Sequence, residues 1–180
     1  TNMYHSTFQL LGSPGEKNIQ ENITGDPFLN EYSLEFDGED DYVVLNTDID
    51  DNLGNGATFS GWVKATGFND ITGTTILSNY DGTGFVFQFL QTGELAISYL
   101  NTGGDRITRA STEPLELDQF YHVAATWDGT FSDLGFKLYV NTELVESYSF
   151  NPVGSIDGYL ESELPMSIGR SKSGGEYAAF

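Results

Sequence analysis

Three acidic residues at alternate positions, Glu35, Asp37 and Glu39, are the first candidates for chemistry in this sequence. Alternate residues of a strand share one face, and two carboxylates about 5–5.5 Å apart can act as nucleophile and acid/base in retaining glycoside hydrolysis. Gly38 argues against that use, because glycine weakens a strand before Glu39 is reached. The pair Asp37-Gly38 is better explained as a turn. A glycoside hydrolase is therefore the minority interpretation.

The single histidine within the predicted strands and the absence of cysteine further reduce the options for catalysis. His122 lies within a run typical of a strand, where a packed or hydrogen-bonded histidine is more common than a catalytic one. The chain contains no Cys, which excludes thiol chemistry and a disulfide framework. We predict no catalytic residue and interpret the protein as a non-enzyme.

Two aromatic residues, Trp62 and Tyr139, are candidates for ligand binding. Alternation places Trp62 on the face opposite Phe59 and Tyr139 on the face opposite Leu138. Aromatic rings exposed on a sheet can stack on sugars, which present apolar C–H faces. The alternative is packing in the core or a second layer, because Trp rarely stays exposed.

The charge balance restricts the possible partners. The 180 residues include 27 acidic and 7 basic ones, a net charge of −20. Nucleic acids and anionic membrane surfaces need clustered Lys and Arg, so neither is an expected partner. Cations and neutral ligands such as glycans are favoured instead. No apolar run approaches about 18 residues, so we predict no membrane insertion.

Short β-type runs separated by Gly, Asp and Asn dominate the chain from Tyr32 onward. The predicted strands are residues 32–36, 42–45, 58–64, 75–79, 84–91, 94–100, 105–110, 119–127, 135–141, 143–149 and 164–168. About eleven such strands joined by short turns predict an all-β fold of two packed antiparallel sheets. Alternating aromatic residues such as Phe85, Phe87 and Phe89 would fill the space between the sheets.

The first 31 residues differ in character. They are polar and rich in Gly and Pro, and we interpret residues 1–31 as a lead-in or linker with one strand at 8–11. Residues 32–180 would form the sandwich domain. Because the sequence begins without Met, we expect the chain to be one module of a larger secreted protein.

An ordered set of segments resembles the laminin G-like branch of the concanavalin A-like lectin/glucanase fold. The segments are residues 34–38, 41–43, 59–64, 76–78, 84–87, 120–124, 127–129, 138–141 and 168–170. Each is short, but their order is that of the family from residue 32 to 180. The resemblance implies a jelly-roll β-sandwich at an extracellular or cell-surface location.

The resemblance also implies a structural calcium ion. Relatives hold it with oxygen atoms of the opening turn and of a later carboxylate, positions that correspond to Asp37, Gly38 and Asp128. Calcium prefers six to eight such hard oxygen ligands. The alternative is that Asp37 and Asp128 only initiate turns.

Two departures from the family pattern lead to separate predictions. The hairpin turn that usually reads Asn-Gly is Asn141-Thr142 here, and because Thr tolerates positive φ poorly we expect a longer or bulged turn. The family also closes the sandwich with one more strand, which is missing before Phe180. Residues after 180, residues 1–30 or a partner chain could donate a strand to that open position.

Recognition is the function these observations favour. We predict a non-catalytic adhesion or recognition module that binds a glycan or an extracellular protein. The alternatives are a glycoside hydrolase or its attached carbohydrate-binding module, and a structural spacer in a long adhesin.

Overall fold

Strands dominate the computed structural model, which describes residues 33–45, 53, 55–68, 73–101, 104–149, 162, 164–173 and 176–179. The elements in chain order are β1 (Val43–Val44), β2 (Ala57–Val63), β3 (Thr74–Ser78), β4 (Gly84–Phe89), β5 (Glu94–Leu100), β6 (Arg106–Pro114), β7 (Tyr121–Trp127), a 3₁₀ helix (Asp133–Gly135), β8 (Phe136–Val140), β9 (Glu143–Leu144), β10 (Ser147–Ser149), β11 (Ser167–Ile168), β12 (Arg170–Ser173) and β13 (Glu176–Ala179). No helix among these residues is long and apolar enough to span a bilayer.

The strands form two main antiparallel sheets. One has seven strands in the order β1-β11-β3-β4-β5-β6-β10, and the other has four in the order β2-β7-β8-β9. β12 and β13 form a separate hairpin in which Arg170 pairs with Ala179. The predicted all-β sandwich of two antiparallel sheets is confirmed.

The core lies between the two sheets and is rich in aromatic rings. From the seven-stranded sheet, Phe85 and Tyr99 are almost fully buried. From the four-stranded sheet, Trp127 and Phe136 meet them, with the Phe85 and Trp127 rings 5.1 Å apart between centroids. Burying each large apolar side chain contributes about 1.5–3 kcal/mol before conformational entropy is subtracted. The alternation seen in the sequence therefore does place these rings inward.

Three local expectations differ from the structure. Residues 33–37 form no strand, and Leu34 there is exposed, because a turn centred on Gly38 begins immediately afterwards. The run 143–149 divides into β9 and β10, which belong to different sheets. The hairpin β12–β13 was not anticipated.

The turn between β8 and β9 is tight, so the predicted longer or bulged connection is wrong. Val140 pairs with Glu143, which leaves only Asn141 and Thr142 in the loop. Both have positive φ, 49° and 74°. Two hydrogen bonds with His122 hold this turn against β7: Asn141 N donates to the carbonyl oxygen of His122 (2.7 Å), and Asn141 Oδ1 accepts from the N–H of His122 (3.1 Å).

The outer edge of β2 has no partner among the described strands, because β2 pairs with β7 alone. The prediction that another segment or chain donates a strand stays a prediction. The lead-in at 1–31 lies outside the described residues, so the boundary between it and the sandwich also stays a prediction.

Candidate functional site

The four-stranded sheet points alternate side chains away from the core. Phe59, Val123 and Leu138 face inward and are buried. We call the outward positions, together with Lys64 after β2 and Phe120 before β7, the outer face. Its members are Thr58, Ser60, Trp62, Lys64, Phe120, His122, Ala124, Thr126, Lys137, Tyr139 and Leu144.

Large apolar side chains are exposed on the outer face. Trp62 is 59%, Phe120 56% and Leu144 60% exposed. The Trp62 and His122 rings meet in an edge-to-face arrangement, with centroids 5.5 Å apart. The ammonium of Lys64 lies over the Phe120 ring, 5.2 Å from its centroid. Exposed apolar side chains grouped on one face are a feature of interaction sites, which makes this face the candidate site.

The strand register sets the spacing of these side chains. Trp62 lies opposite His122, while Ala124 lies between Ser60 and Tyr139. Tyr139 is thus two strands away from Trp62 and displaced by two residues along the strand direction. This places their Cα atoms roughly 12 Å apart. The small side chains of Ser60 and Ala124 leave the surface between the two rings low.

The corresponding positions of the seven-stranded sheet are unlike the outer face. At the centre of that sheet the residues that point away from the core are small and buried, with Ala96 and Ala110 at 0% exposure, whereas Val44 and Tyr148 on its edge strands are exposed. Ser98 and Thr108 in the same layer bond to each other through their hydroxyl groups at 2.9 Å. The centre of the four-stranded sheet is therefore more accessible than the centre of the seven-stranded one.

His122 contributes an unpaired polar atom at the centre of the outer face. Its Nδ1 is buried and has no hydrogen-bond partner in the part of the chain that is described. An unsatisfied buried polar atom costs folding free energy, and native proteins retain few of them.

The first predicted calcium position is a compact acidic turn. The carboxylate oxygens of Asp37, Asp40 and Asp41 all lie within 4.8 Å of one another and are exposed. Asp37 Oδ1 accepts hydrogen bonds from the N–H groups of Glu39 (2.8 Å) and Asp40 (3.3 Å). These bonds lower the pKa of the Asp37 carboxyl below its usual value, the bond from Glu39 having the larger effect.

Gly38 enables this turn with a φ of 81°, and Asp37 N donates to Asp41 Oδ2 (3.2 Å). The residues fit calcium in donor type, since three carboxylates and the turn carbonyls supply hard oxygens. Asp40 and Asp41 were missed as candidates, although their run of carboxylates after Asp37-Gly38 was visible in the sequence.

The third predicted calcium ligand, Asp128, organises a different turn. Its Oδ1 accepts from the hydroxyl (2.6 Å) and the N–H (2.9 Å) of Thr130. These two bonds, the hydroxyl first, lower the pKa of the Asp128 carboxyl. Asp128 is not part of the carboxylate group around Asp37. Its role as a ligand stays a prediction.

Close packing supports the Asp128 turn. A Cβ on Gly135 would lie 2.5 Å from both Asp128 Oδ1 and Thr130 Oγ1, so only glycine fits there. Trp127 Nε1 donates to the carbonyl of Thr130 at 2.6 Å and ties the turn to the core.

The carboxylate triplet considered for hydrolysis does not form a strand face. Glu35, Asp37 and Glu39 are all exposed, and none lies in a strand. Asp37 is occupied by the turn hydrogen bonds described above. The arrangement that a retaining hydrolase needs, two opposed carboxylates beside a groove, is not present at these three residues.

Both predicted ligand-binding residues occur together on the outer face. Trp62 is exposed, which makes the alternative of core packing wrong for this residue, and Tyr139 is half-buried. Phe120 and Lys64 were missed as candidates. The signal was available in the alternation that links Phe120 to His122, but only the pairing of β2 with β7 places both beside Trp62.

Comparisons with known proteins identify a family for this arrangement. A laminin G family model of the concanavalin A-like lectin/glucanases superfamily matches residues 37–180. Among solved structures, the native heptameric SAP-like pentraxin from Limulus polyphemus is similar, with 20% sequence identity and a TM-score of 0.44. The match covers 68% of this chain and 56% of the pentraxin chain, so the chain spans little more than half of that relative. No curated protein sequence matches the chain.

Proposed function

The chain belongs to the laminin G-like branch of the concanavalin A-like lectin/glucanases superfamily, and from this membership we propose a non-catalytic recognition module that binds a glycan on its outer face. The observation that carries the proposal is the exposure of Trp62, beside Phe120 and roughly 12 Å from Tyr139 on the same face. Aromatic rings separated by a low surface can stack on successive sugars of an extended chain.

Two of the alternative functions receive less support. A hydrolase would need a pair of carboxylates at a groove, whereas Asp37 caps a turn and its neighbours Glu35 and Glu39 are exposed outside any strand. A spacer domain has no use for an exposed apolar patch, which lowers solubility without a compensating contact. A protein ligand would use the same face, and the glycan is favoured because flat exposed rings are surrounded there by small polar side chains such as Ser60 and Thr58.

We also propose an extracellular location and one structural calcium ion. The ion would lie at the turn of Asp37, Asp40 and Asp41, with carbonyl oxygens such as that of Gly38 completing the ligand set. When bound, it would neutralise three adjacent carboxylates and fix the turn. The proposed glycan site does not depend on the ion, because the two lie on different elements.

The glycan proposal is tested by replacing the exposed rings. Binding of the protein to a polysaccharide array is measured for the wild type and for Trp62→Ala and Tyr139→Ala. We expect a loss of roughly 5- to 100-fold for Trp62→Ala, if stacking on a sugar costs about as much to remove as the 1–3 kcal/mol of stacking on a nucleic-acid base. The smaller exposed area of Tyr139 predicts a smaller loss.

Leu134→Ala is the matched control, because Leu134 is 70% exposed but lies on the 3₁₀ helix rather than on the outer face. Its binding should equal that of the wild type. Unfolding temperatures of all variants check that the fold is intact. Unchanged binding by folded Trp62→Ala and Tyr139→Ala would refute the proposed site.

A further inference from the structure

A third exposed ring, that of Phe120, lies at the Trp62 end of the outer face. Phe120 is 56% exposed and lies two residues before His122, the residue that pairs with Trp62. The Cα atoms of such diagonal neighbours are roughly 8 Å apart. The position of Lys64, the next outward residue after Trp62, agrees with this spacing, because its ammonium lies over the Phe120 ring, 5.2 Å from the centroid.

The three rings form a corner rather than a row. Tyr139 lies opposite Ala124, four residues along the chain from Phe120, so the Cα atoms of Tyr139 and Phe120 are roughly 14 Å apart. With roughly 12 Å between Tyr139 and Trp62 and roughly 8 Å between Trp62 and Phe120, the angle at Trp62 is roughly 90°. A straight ribbon of sugars that lies over Tyr139 and Trp62 therefore passes beside Phe120 without covering it.

The backbone that carries Phe120 is held by a strained residue. Asp118, two residues earlier, has a φ of 61°, in the left-handed region that few residues other than glycine adopt. Its N–H donates to the carbonyl oxygen of Ala65, just beyond β2, at 2.8 Å. This bond ties the loop before β7 to the end of β2, and so it sets the position of Phe120 relative to Trp62.

The other strained residues of the described part of the chain lie at the same end of the face. Besides Asp118, the non-glycine residues with positive φ there are Asn141 and Thr142. Asn141 makes two hydrogen bonds with the backbone of His122, the strand partner of Trp62. Strained backbone of this kind clusters at ligand-binding sites, where the surrounding structure compensates for its cost. The corner around Trp62 and not the Lys137 end of the face therefore has the features of a built site.

From this corner we propose that the ligand of the outer face is a branched glycan. The inference rests on the proposed glycan function and narrows it to a class of ligand. The main chain of the glycan lies over Tyr139 and Trp62, and a side branch on the sugar above Trp62 turns onto Phe120. Phe120 is then the contact that selects branched over linear chains, and Asp118 is a positioning residue that acts through it.

The test compares neutral branched oligosaccharides with linear ones that have the same main chain. The probes are a xyloglucan heptasaccharide against cellotetraose, and a galactosylated mannopentaose against mannopentaose, with binding measured by titration calorimetry. We expect at least one branched form to bind more tightly than its linear counterpart. Phe120→Ala should remove this preference, lowering the affinity for the branched form roughly 5- to 100-fold as for another stacking ring. The affinity for the linear form should not change.

Two substitutions at Asp118 test its positioning role. Asp118→Gly accepts a φ of 61° without steric cost and should keep the preference for the branched form. Asp118→Val disfavours this φ, because Val is β-branched, and should weaken binding of the branched form alone. The decisive measurement is the ratio of the two affinities, since a residue that served stability alone would change both equally. An unchanged ratio in folded Asp118→Val overturns the positioning role.

The outcomes separate this inference from the proposed function. Equal affinity for branched and linear forms, with no effect of Phe120→Ala, overturns the branched ligand and leaves the proposed glycan site if Trp62→Ala still lowers binding. A preference for the branched form that survives Phe120→Ala contradicts the corner as its cause. Failure of both branched probes to bind overturns the inference, whereas binding of a linear probe that depends on Trp62 retains the proposed function.

Discussion

Asp128 shows how one carboxylate can shape this fold without acting as a catalyst. It accepts two hydrogen bonds from Thr130, and the carbonyl of Thr130 in turn accepts from the buried Trp127 indole. Both bonds to Asp128 favour its ionised form and lower its pKa. Asp37 has the same role in the turn before β1, through bonds from Glu39 and Asp40.

The lowered pKa of Asp128 predicts a pH-dependent contribution to stability. A carboxyl whose pKa is lowered by folding stabilises the folded state above its unfolded pKa, and that contribution disappears as the pH falls through the folded pKa. Asp128→Asn should thus be less stable than the wild type at pH 7. The difference should shrink progressively below about pH 4, as measured by urea unfolding between pH 7 and pH 2.5.

Glu116→Gln is the control for this prediction, because the exposed Glu116 side chain accepts no hydrogen bond within the described residues. It should follow the wild type at every pH. A constant difference between Asp128→Asn and the wild type across the whole range would contradict the electrostatic explanation.

The elements of this protein are positioned by turns as much as by strand propensity. The β8–β9 hairpin keeps a two-residue turn although its second residue is Thr142, a β-branched residue at a φ of 74°. The two bonds between Asn141 and His122 compensate for that conformation. The residues of the turn alone do not reveal the neighbouring strand that holds it.

Thr142→Gly should therefore stabilise the protein. A left-handed conformation costs an ordinary residue about 1–2 kcal/mol, and glycine returns part of this through its greater freedom in the unfolded chain. The expected net gain is about 0.5–1 kcal/mol in the free energy of unfolding, measured by urea denaturation. Thr142→Ala keeps the Cβ and serves as the control, and an equal effect of Ala and Gly would show that strain at this residue is absent.

The whole molecule carries an unusual excess of negative charge. With 27 acidic and 7 basic residues, self-repulsion opposes the folded state and any cation relieves it to some extent. A bound calcium ion at the turn of Asp37, Asp40 and Asp41 would add a specific contribution to this general one. Specific calcium binding and general screening of charge are distinguishable, because a binding site discriminates between cations of different kinds whereas screening does not.

Calcium should raise the unfolding temperature more than sodium or magnesium chloride at equal ionic strength. At a concentration of 100 times its Kd, a ligand adds about 2.7 kcal/mol of stability, which corresponds to about 5–10 °C for a chain of this length. Asp40→Asn should reduce the calcium-specific part, while Glu39→Gln, in the same turn but outside the group of three carboxylates, should leave it intact. If the three salts shift the transition equally, the acidic turn is only a solvated loop.

The sequence alone determined the class of fold, because period-2 alternation of large apolar residues follows from strand geometry and needs no knowledge of partners. Phe85, Phe87 and Phe89 had to share a face, and that face had to be buried. The sequence also placed Trp62 and Tyr139 on the face opposite their buried neighbours. It could not decide whether that opposite face is covered, since burial depends on which strands pair and on what packs over them.

Only the tertiary structure decided that question. The two sheets have similar alternation, yet the outward side of one is buried at Ala96 and Ala110 while the other exposes Trp62 and Phe120. The pairing of β2 with β7 brought Lys64, Phe120 and Trp62 together from segments almost 60 residues apart, and the β7–β8 pairing added Tyr139 and Lys137. Local sequence determines which face of a strand a side chain occupies, whereas long-range strand pairing determines which side chains lie beside it. A binding face consists of such neighbouring side chains, so only the strand pairing could define it.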